Sequence, residues 1–221
     1  MVILRAFLIA AALCVTRAVS GRETVQDAAV LARTLVDLSP SSIGTMATMF
    51  PDDHATLAGQ PFSLQEYYAS CHANGSLVLL FMPISRASQN VLHSDTRSVS
   101  ISVMDAHPDA SRPRVSLIGN VTVFTDVDAI PDEEAMKACY VAKHPDARRW
   151  VPGPREPHVA YWARFDPQTI YYVGGFGGLH YIGYIPLEIY HEAKPSGVRD
   201  WFRQATDSQN PPLAVQSEMD V

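Results

Sequence analysis

The sequence predicts a mainly β domain with flanking helices, its strands mostly antiparallel and rolled into a barrel. Three observations lead there. At least six segments are rich in β-branched, aromatic and alternating apolar residues, with Gly, Pro, Asn and Asp clustered between them. Most connections are too short for the helical crossovers that parallel strands require. Only two long segments carry helical periodicity, so the helices pack outside the barrel or cap it.

The first twenty residues stand apart. Arg5 precedes an apolar stretch from Ala6 to Val15, and Ala18-Val-Ser20 supplies the small residues of a cleavage site before Gly21. Residues 1–20 are therefore read as a signal peptide, 21–193 as the folded domain and 194–221 as a polar tail. Within the domain, Thr24 with Asp27 starts a helix whose apolar stripe runs through Ala28, Leu31, Ala32, Leu35 and Val36 and stops before Pro40. Strands follow at Ser42 to Met49, Pro61 to Leu64, Ser76 to Pro83, Ser98 to Met104 and Arg114 to Phe124. Ser85 to Asp95 is polar enough for a short helix. A second long helix opens at Pro131, with Asp132, Glu133 and Glu134 at its positive end, and stops at Pro145. The last strands are read as Val159 to Phe165 and Ile170 to Ile185.

Composition narrows the function classes. A chain of 221 residues with 47% hydrophobic content can bury one proper core. Removing residues 1–20 takes away Arg5 and Arg17 and no acid, leaving 15 basic against 23 acidic residues, a formal charge of −8. Such a surface repels phosphate backbones, so nucleic acid is not an expected partner, and no membrane anchor remains after cleavage. Cys14 leaves with the signal peptide. Cys71 and Cys139 remain, either bridged in an oxidising lumen or buried as separate thiols. Two sequons, Asn74-Gly-Ser76 and Asn120-Val-Thr122, become glycan acceptors on export. Asn74 lies in a natural turn, whereas Asn120 interrupts a strand and needs a solvent-facing side chain.

The densest local signal is Tyr171-Tyr-Val-Gly174-Gly-Phe-Gly-Gly178-Leu-His-Tyr181, a strand entering a glycine-flanked aromatic turn. It reads as a hairpin or sheet corner that packs Phe176 in a crowded place. A dinucleotide loop does not fit, because His180 stands where the third glycine of the spacing from Gly175 belongs. His180 is the leading single candidate to touch a ligand, as a haem iron ligand or a proton donor; the alternative places it on the hairpin's solvent face. His54, His72, His107, His158 and His191 lack zinc-ligand spacing. Phosphate-gripping donors are concentrated in Ser85, Arg86, Ser88, Ser94, Thr96 and Arg97, although polar turn residues are more often simply solvated.

Taken in order, Ile43-Gly-Thr-Met-Ala-Thr48, Gly59-Gln-Pro-Phe62, the segment from Ser85 to Val99, Leu117-Ile-Gly-Asn-Val121, His144-Pro with Trp150, and Tyr172-Val-Gly-Gly-Phe-Gly177 resemble the CREG family of secreted glycoproteins. The resemblance spans about residues 25–192. It implies the split β-barrel shared with pyridoxamine phosphate oxidases and other FMN-binding proteins, and a homodimer. Haem-degrading relatives carry Ser-x-Leu-x-x-His-x-x-Asn after the third strand; here Ser85 matches, but Ala87, Asn90 and His93 replace the remaining positions. CREG proteins keep the oxidase-like fold without the flavin. The expectation is thus a secreted or endomembrane-lumen glycoprotein without catalytic residues, metal or cofactor, acting through an unidentified protein partner. The alternative is an FMN- or haem-dependent oxidoreductase whose dimer-interface site would use Ser85, Asn90, His93, Arg97, Phe176 and His180.

Overall fold

A computed structural model describes residues 22–126, 130, 132–153 and 158–196. The signal-peptide reading, Pro131 and the tail beyond Ser196 lie outside the described residues. The elements run α1 (Val25–Asp37), β1 (Ile43–Met49), β2 (Pro61–Ala69), β3 (Leu77–Phe81), α2 (Arg86–Leu92), β4 (Ser98–Met104), β5 (Arg114–Phe124), α3 (Glu133–Lys143), β6 (Tyr161–Val173), β7 (Ile182–Ile185) and α4 (Leu187–Glu192). A 3-10 turn at Pro145–Arg149 follows α3.

Every strand pairing is antiparallel, in the order β3-β2-β1-β4-β5-β6-β7, and an additional β3–β6 pairing closes six strands into a ring. Closure removes the exposed edges that an open sheet would leave. Alternation then sorts the faces. Met46, Ile101, Leu117, Ile170 and Ile185 stand opposite one another across five strands, and all are buried. Phe81, Phe165, Leu77 and Leu79 fill the rest of the interior; each such side chain contributes about 1.5–3 kcal/mol on burial.

Strand β6 forks. Tyr161 to Phe165 pair with β3, whereas Ile170 to Val173 pair with β7 along the same edge. Pro167, which has no N–H to donate, sits at the changeover opposite a register shift at Ile118/Gly119. Gly119 is required there, since a Cβ would fall 2.1 Å from the Asp166 carbonyl oxygen. The two final strands read from the sequence are therefore one long strand and one short one, because Asp166-Pro167 bends β6 without ending it. Strand β2 also runs five residues further than expected, to Ala69.

The helices cover what the ring leaves open. The Thr24 hydroxyl accepts from the Asp27 backbone N–H, while Asp27 accepts from the Thr24 N–H, a reciprocal cap on α1. The Ala28, Ala29, Leu31, Ala32, Leu35 and Val36 face of α1 enters the barrel core, joined by Tyr190 from α4. Arg33, also buried, pairs with Asp37 at 2.8 Å and donates to the carbonyls of Ala73, Tyr190 and Ala193. Helix α3 instead lies over the outer face of β3 and β6, where Met136 and Tyr140 meet Val78, Leu80 and Trp162 in a second core. Cys71 and Cys139 are bridged, tying the end of β2 to α3.

Candidate functional site

Four of the cofactor-gripping residues expected from the sequence, Ser85, Asn90, His93 and Arg97, lie between the N-cap of α2 and the turn that follows the helix. Ser85 is the N-cap of α2 but makes no side-chain cap bond. Arg86 is exposed, its guanidinium carbon 5.5 Å from the Phe50 ring centroid, whereas Ser88 is buried two residues later. On a helix those two positions face nearly opposite sides. Asn90 is buried and donates from Nδ2 to Thr48 Oγ1, leaving Oδ1 without a partner. His93 turns back to the Gln89 carbonyl at 2.8 Å and is exposed. The Ser94 and Thr96 hydroxyls lie 3.3 Å apart and accept from the N–H groups of Arg97 and Ser98, closing the turn into β4. Arg97 is exposed with φ of 49°.

A flavin phosphate needs cationic and hydroxyl donors that converge on one volume. Arg86 and Ser88 face opposite sides of α2, so these two do not converge on one phosphate. Among the described residues no three His, Cys, Asp or Glu side chains are grouped to hold a metal ion.

The glycine turn contains the second expected site, with a different arrangement from the one expected. Phe176 is 54% exposed, not packed on the barrel. The crowding falls at the turn's base instead. Gly174 N–H donates to the Tyr181 carbonyl, and a Cβ on Gly174 would stand 2.7 Å from Glu23 Oε2. A Cβ on Gly175 would meet the Ser111 carbonyl oxygen at 2.7 Å and the His180 ring at 3.0 Å. The glycines therefore make room for Glu23 and His180.

His180 is half-buried at the base of the turn rather than on its solvent face. Its Nδ1 lies 3.2 Å from Glu23 Oε2, with side-chain exposures of 10% for His180 and 1% for Glu23. Glu23 N–H also donates to the Leu179 carbonyl. Burial pushes the Glu23 carboxyl above the usual carboxylate range; the His180 hydrogen bond, the Tyr181 N–H, the imidazole charge and the Tyr172 hydroxyl pull the other way. Glu23, 157 positions from His180, was not singled out in the sequence; the only local hint was two adjacent glycines at the turn's base rather than its tip.

The two sequons differ in their surroundings. Asn74 is exposed, and its Oδ1 accepts from the Ser76 N–H in a tight turn held by Arg33 and Tyr190. Asn120 is half-buried and its Nδ2 donates to the Thr96 carbonyl at 2.7 Å. Beside Asn74, burial and then the Arg164 charge lower the pKa of His72.

One further surface belongs to the site description. Thr45, Ser102, Ser116, Tyr171 and Tyr184 stand directly opposite one another across β1, β4, β5, β6 and β7, on the face away from the core. The adjoining row is Ala47, Ser100, Ile118 and Thr169. Neither row contains a charge, and none of the nine residues is buried.

A closed six-strand antiparallel barrel with flanking helices and a branching long strand defines a split-barrel fold. Residues 23–192 match the family described as "CREG, beta-barrel", and the chain belongs to that family. No curated protein matches closely enough to count as a relative. Among solved structures, the heme binding protein from Mycobacterium smegmatis is 21% identical, with a TM-score of 0.62 over 83% of this chain and 68% of that one. The pyridoxamine 5'-phosphate oxidase-related, FMN binding protein from Nostoc punctiforme PCC 73102 is 14% identical, with a TM-score of 0.42 over 62% of this chain and 76% of that one. A FAD-binding protein from Mesorhizobium loti is 17% identical, with a TM-score of 0.44 over 63% and 88%.

Proposed function

We propose that this chain is an exported, N-glycosylated CREG-type binding module that has no catalytic site and acts through protein contacts as a homodimer. The observation that carries this reading is the internal use of Asn90 and His93. Asn90 Nδ2 is committed to Thr48 and the His93 ring to its own helix, so gripping a cofactor with either would first require breaking those bonds. The two uncharged rows on the outer face of β1, β4, β5, β6 and β7 support the homodimer, because neutral rows let two sheets approach there without desolvating charge. The bridged Cys71–Cys139 pair supports an oxidising compartment, secreted or within the endomembrane lumen.

The second reading is a haem- or flavin-dependent oxidoreductase. It is favoured by the likeness to the heme binding protein from Mycobacterium smegmatis and by the unpartnered, buried Asn90 Oδ1.

One preparation distinguishes them. Protein from a eukaryotic secretory host is examined by visible absorption and thermal melting before and after adding FMN or haemin. A hundredfold excess over Kd would add about 2.7 kcal/mol of stability, so binding is readable as a melting shift. An unchanged spectrum and melt support the non-catalytic module; a saturable flavin or Soret band overturns it. For the dimer, Tyr171→Arg should convert the sedimenting species to a monomer. A dimer that survives this substitution moves the interface elsewhere.

A further inference from the structure

Glu23, just before the Thr24 cap of α1, and the glycine hairpin are joined at one buried point that can exchange a proton. Glu23 reaches the hairpin through its N–H to Leu179 and through its carboxylate to His180, with the Tyr181 N–H and the Tyr172 hydroxyl facing the same carboxylate. The hairpin displays the exposed side chains of Phe176 and Leu179 just beyond this contact.

Count the charge there. With His180 neutral and Glu23 ionised, the buried pair carries −1. Among the described residues, the buried cation of the adjoining α1, Arg33, is already paired with Asp37. Arg22 precedes it and is exposed, and Asp27 on α1 is committed to the Thr24 cap. On the β4–β5 loop, the Ser111 carbonyl faces Gly175; Arg112 pairs with Asp105, Arg114 donates to Ala110 and Asp109 accepts from Ser111. One added proton makes the pair neutral, whichever partner holds it. Removing an uncompensated buried charge strengthens the contact.

We propose that the Glu23–His180 contact is a proton-operated clasp that fastens the glycine hairpin to the start of α1 in mild acid and loosens it at neutral pH. The clasp thereby makes the mobility of the Phe176 and Leu179 surface depend on the acidity of the compartment. The raised Glu23 pKa has the matching sign. A group whose folded value lies above its unfolded value favours the fold below the unfolded value, and that contribution is lost as pH rises through the folded one. This inference does not depend on the protein's being catalytic or not.

Hydrogen–deuterium exchange of the full-length folded protein tests it, read on the peptide covering residues 174–181 and corrected for intrinsic exchange. Protection of that peptide should rise about tenfold between roughly pH 7.5 and pH 5, while the peptide covering 115–121 of β5 stays unchanged. Glu23→Gln keeps the shape without the charge and should give high protection at both pH values. His180→Gln should leave the hairpin weakly protected at pH 7.5 and reduce the rise. Flat protection in the parent, or the same pH slope in Glu23→Gln, overturns the clasp. The β5 peptide reports whether a variant has failed to fold, and the parent's own slope decides the matter if it has.

Discussion

Gly174 and Glu23 touch so closely that a methyl group on the first would lie 2.7 Å from a carboxylate oxygen of the second. Gly174→Ala should therefore displace the Glu23 carboxylate and destabilise the protein by about 1–3 kcal/mol. Gly178→Ala, four residues along with nothing within 4 Å of its Cβ position, should stay within about 0.5 kcal/mol of the parent. Denaturant melts of the two variants check the contrast, and equal losses would remove the packing explanation.

Phe176 was expected from the sequence to be crowded, with a truncation cost typical of a core aromatic. At 54% exposure it should lose less than about 1 kcal/mol on Phe176→Ala, measured at concentrations low enough to keep the chain monomeric. Phe165→Ala, fully buried in the ring, should lose about 3–5 kcal/mol in the same assay.

Glu66, half-buried on β2 opposite Gly44, is pushed up to about 7 by burial, against a weaker lowering pull from the Tyr67 N–H. Its folded value exceeds its unfolded one. Its contribution is fully present below about pH 4.5 and lost as pH rises through 7. Glu66→Gln should accordingly be more stable than the parent at pH 8, by about 1 kcal/mol once screening of a half-buried group is allowed for, and should lose that advantage near pH 5. Melting curves across this range provide the measurement.

The Cys71–Cys139 bridge spans 68 positions and pins α3 over Trp162. Replacing both cysteines with serine should cost about 2–4 kcal/mol, mainly by freeing the unfolded chain. Adding reductant should lower the parent's melting temperature towards that of the variant and leave the variant's unchanged.

For the sequons, intact mass of secreted protein is decisive. Asn74→Gln should lose one glycan mass, because Asn74 is exposed and bonds the turn through Oδ1, whereas Asn120→Gln should lose none, because its Nδ2 is held by the Thr96 carbonyl.

Much of the architecture was legible because alternation and capping are local. Thr24 with Asp27 marked the start of α1, and the limits of β4 and β5 follow directly from their buried alternation. The end of β2 was hidden because Gln65-Glu-Tyr-Tyr carries polar residues into a strand whose inward-facing Leu64 is itself exposed. Helix α4, six residues after Pro186, was too short to show a period. The site was less legible. Donor-rich Ser85 to Arg97 reads alike whether its hydroxyls hold a phosphate or their own turn. The Glu23–His180 contact joins residues no local pattern connects.

The fork in β6 carries a mechanical consequence. Since β3 and β7 occupy successive lengths of one edge, detaching the four rungs of β7 would leave the six-membered hoop unbroken. The hairpin is an appendage on a closed cask rather than one of its staves, with Ile185 at its root reaching the contents.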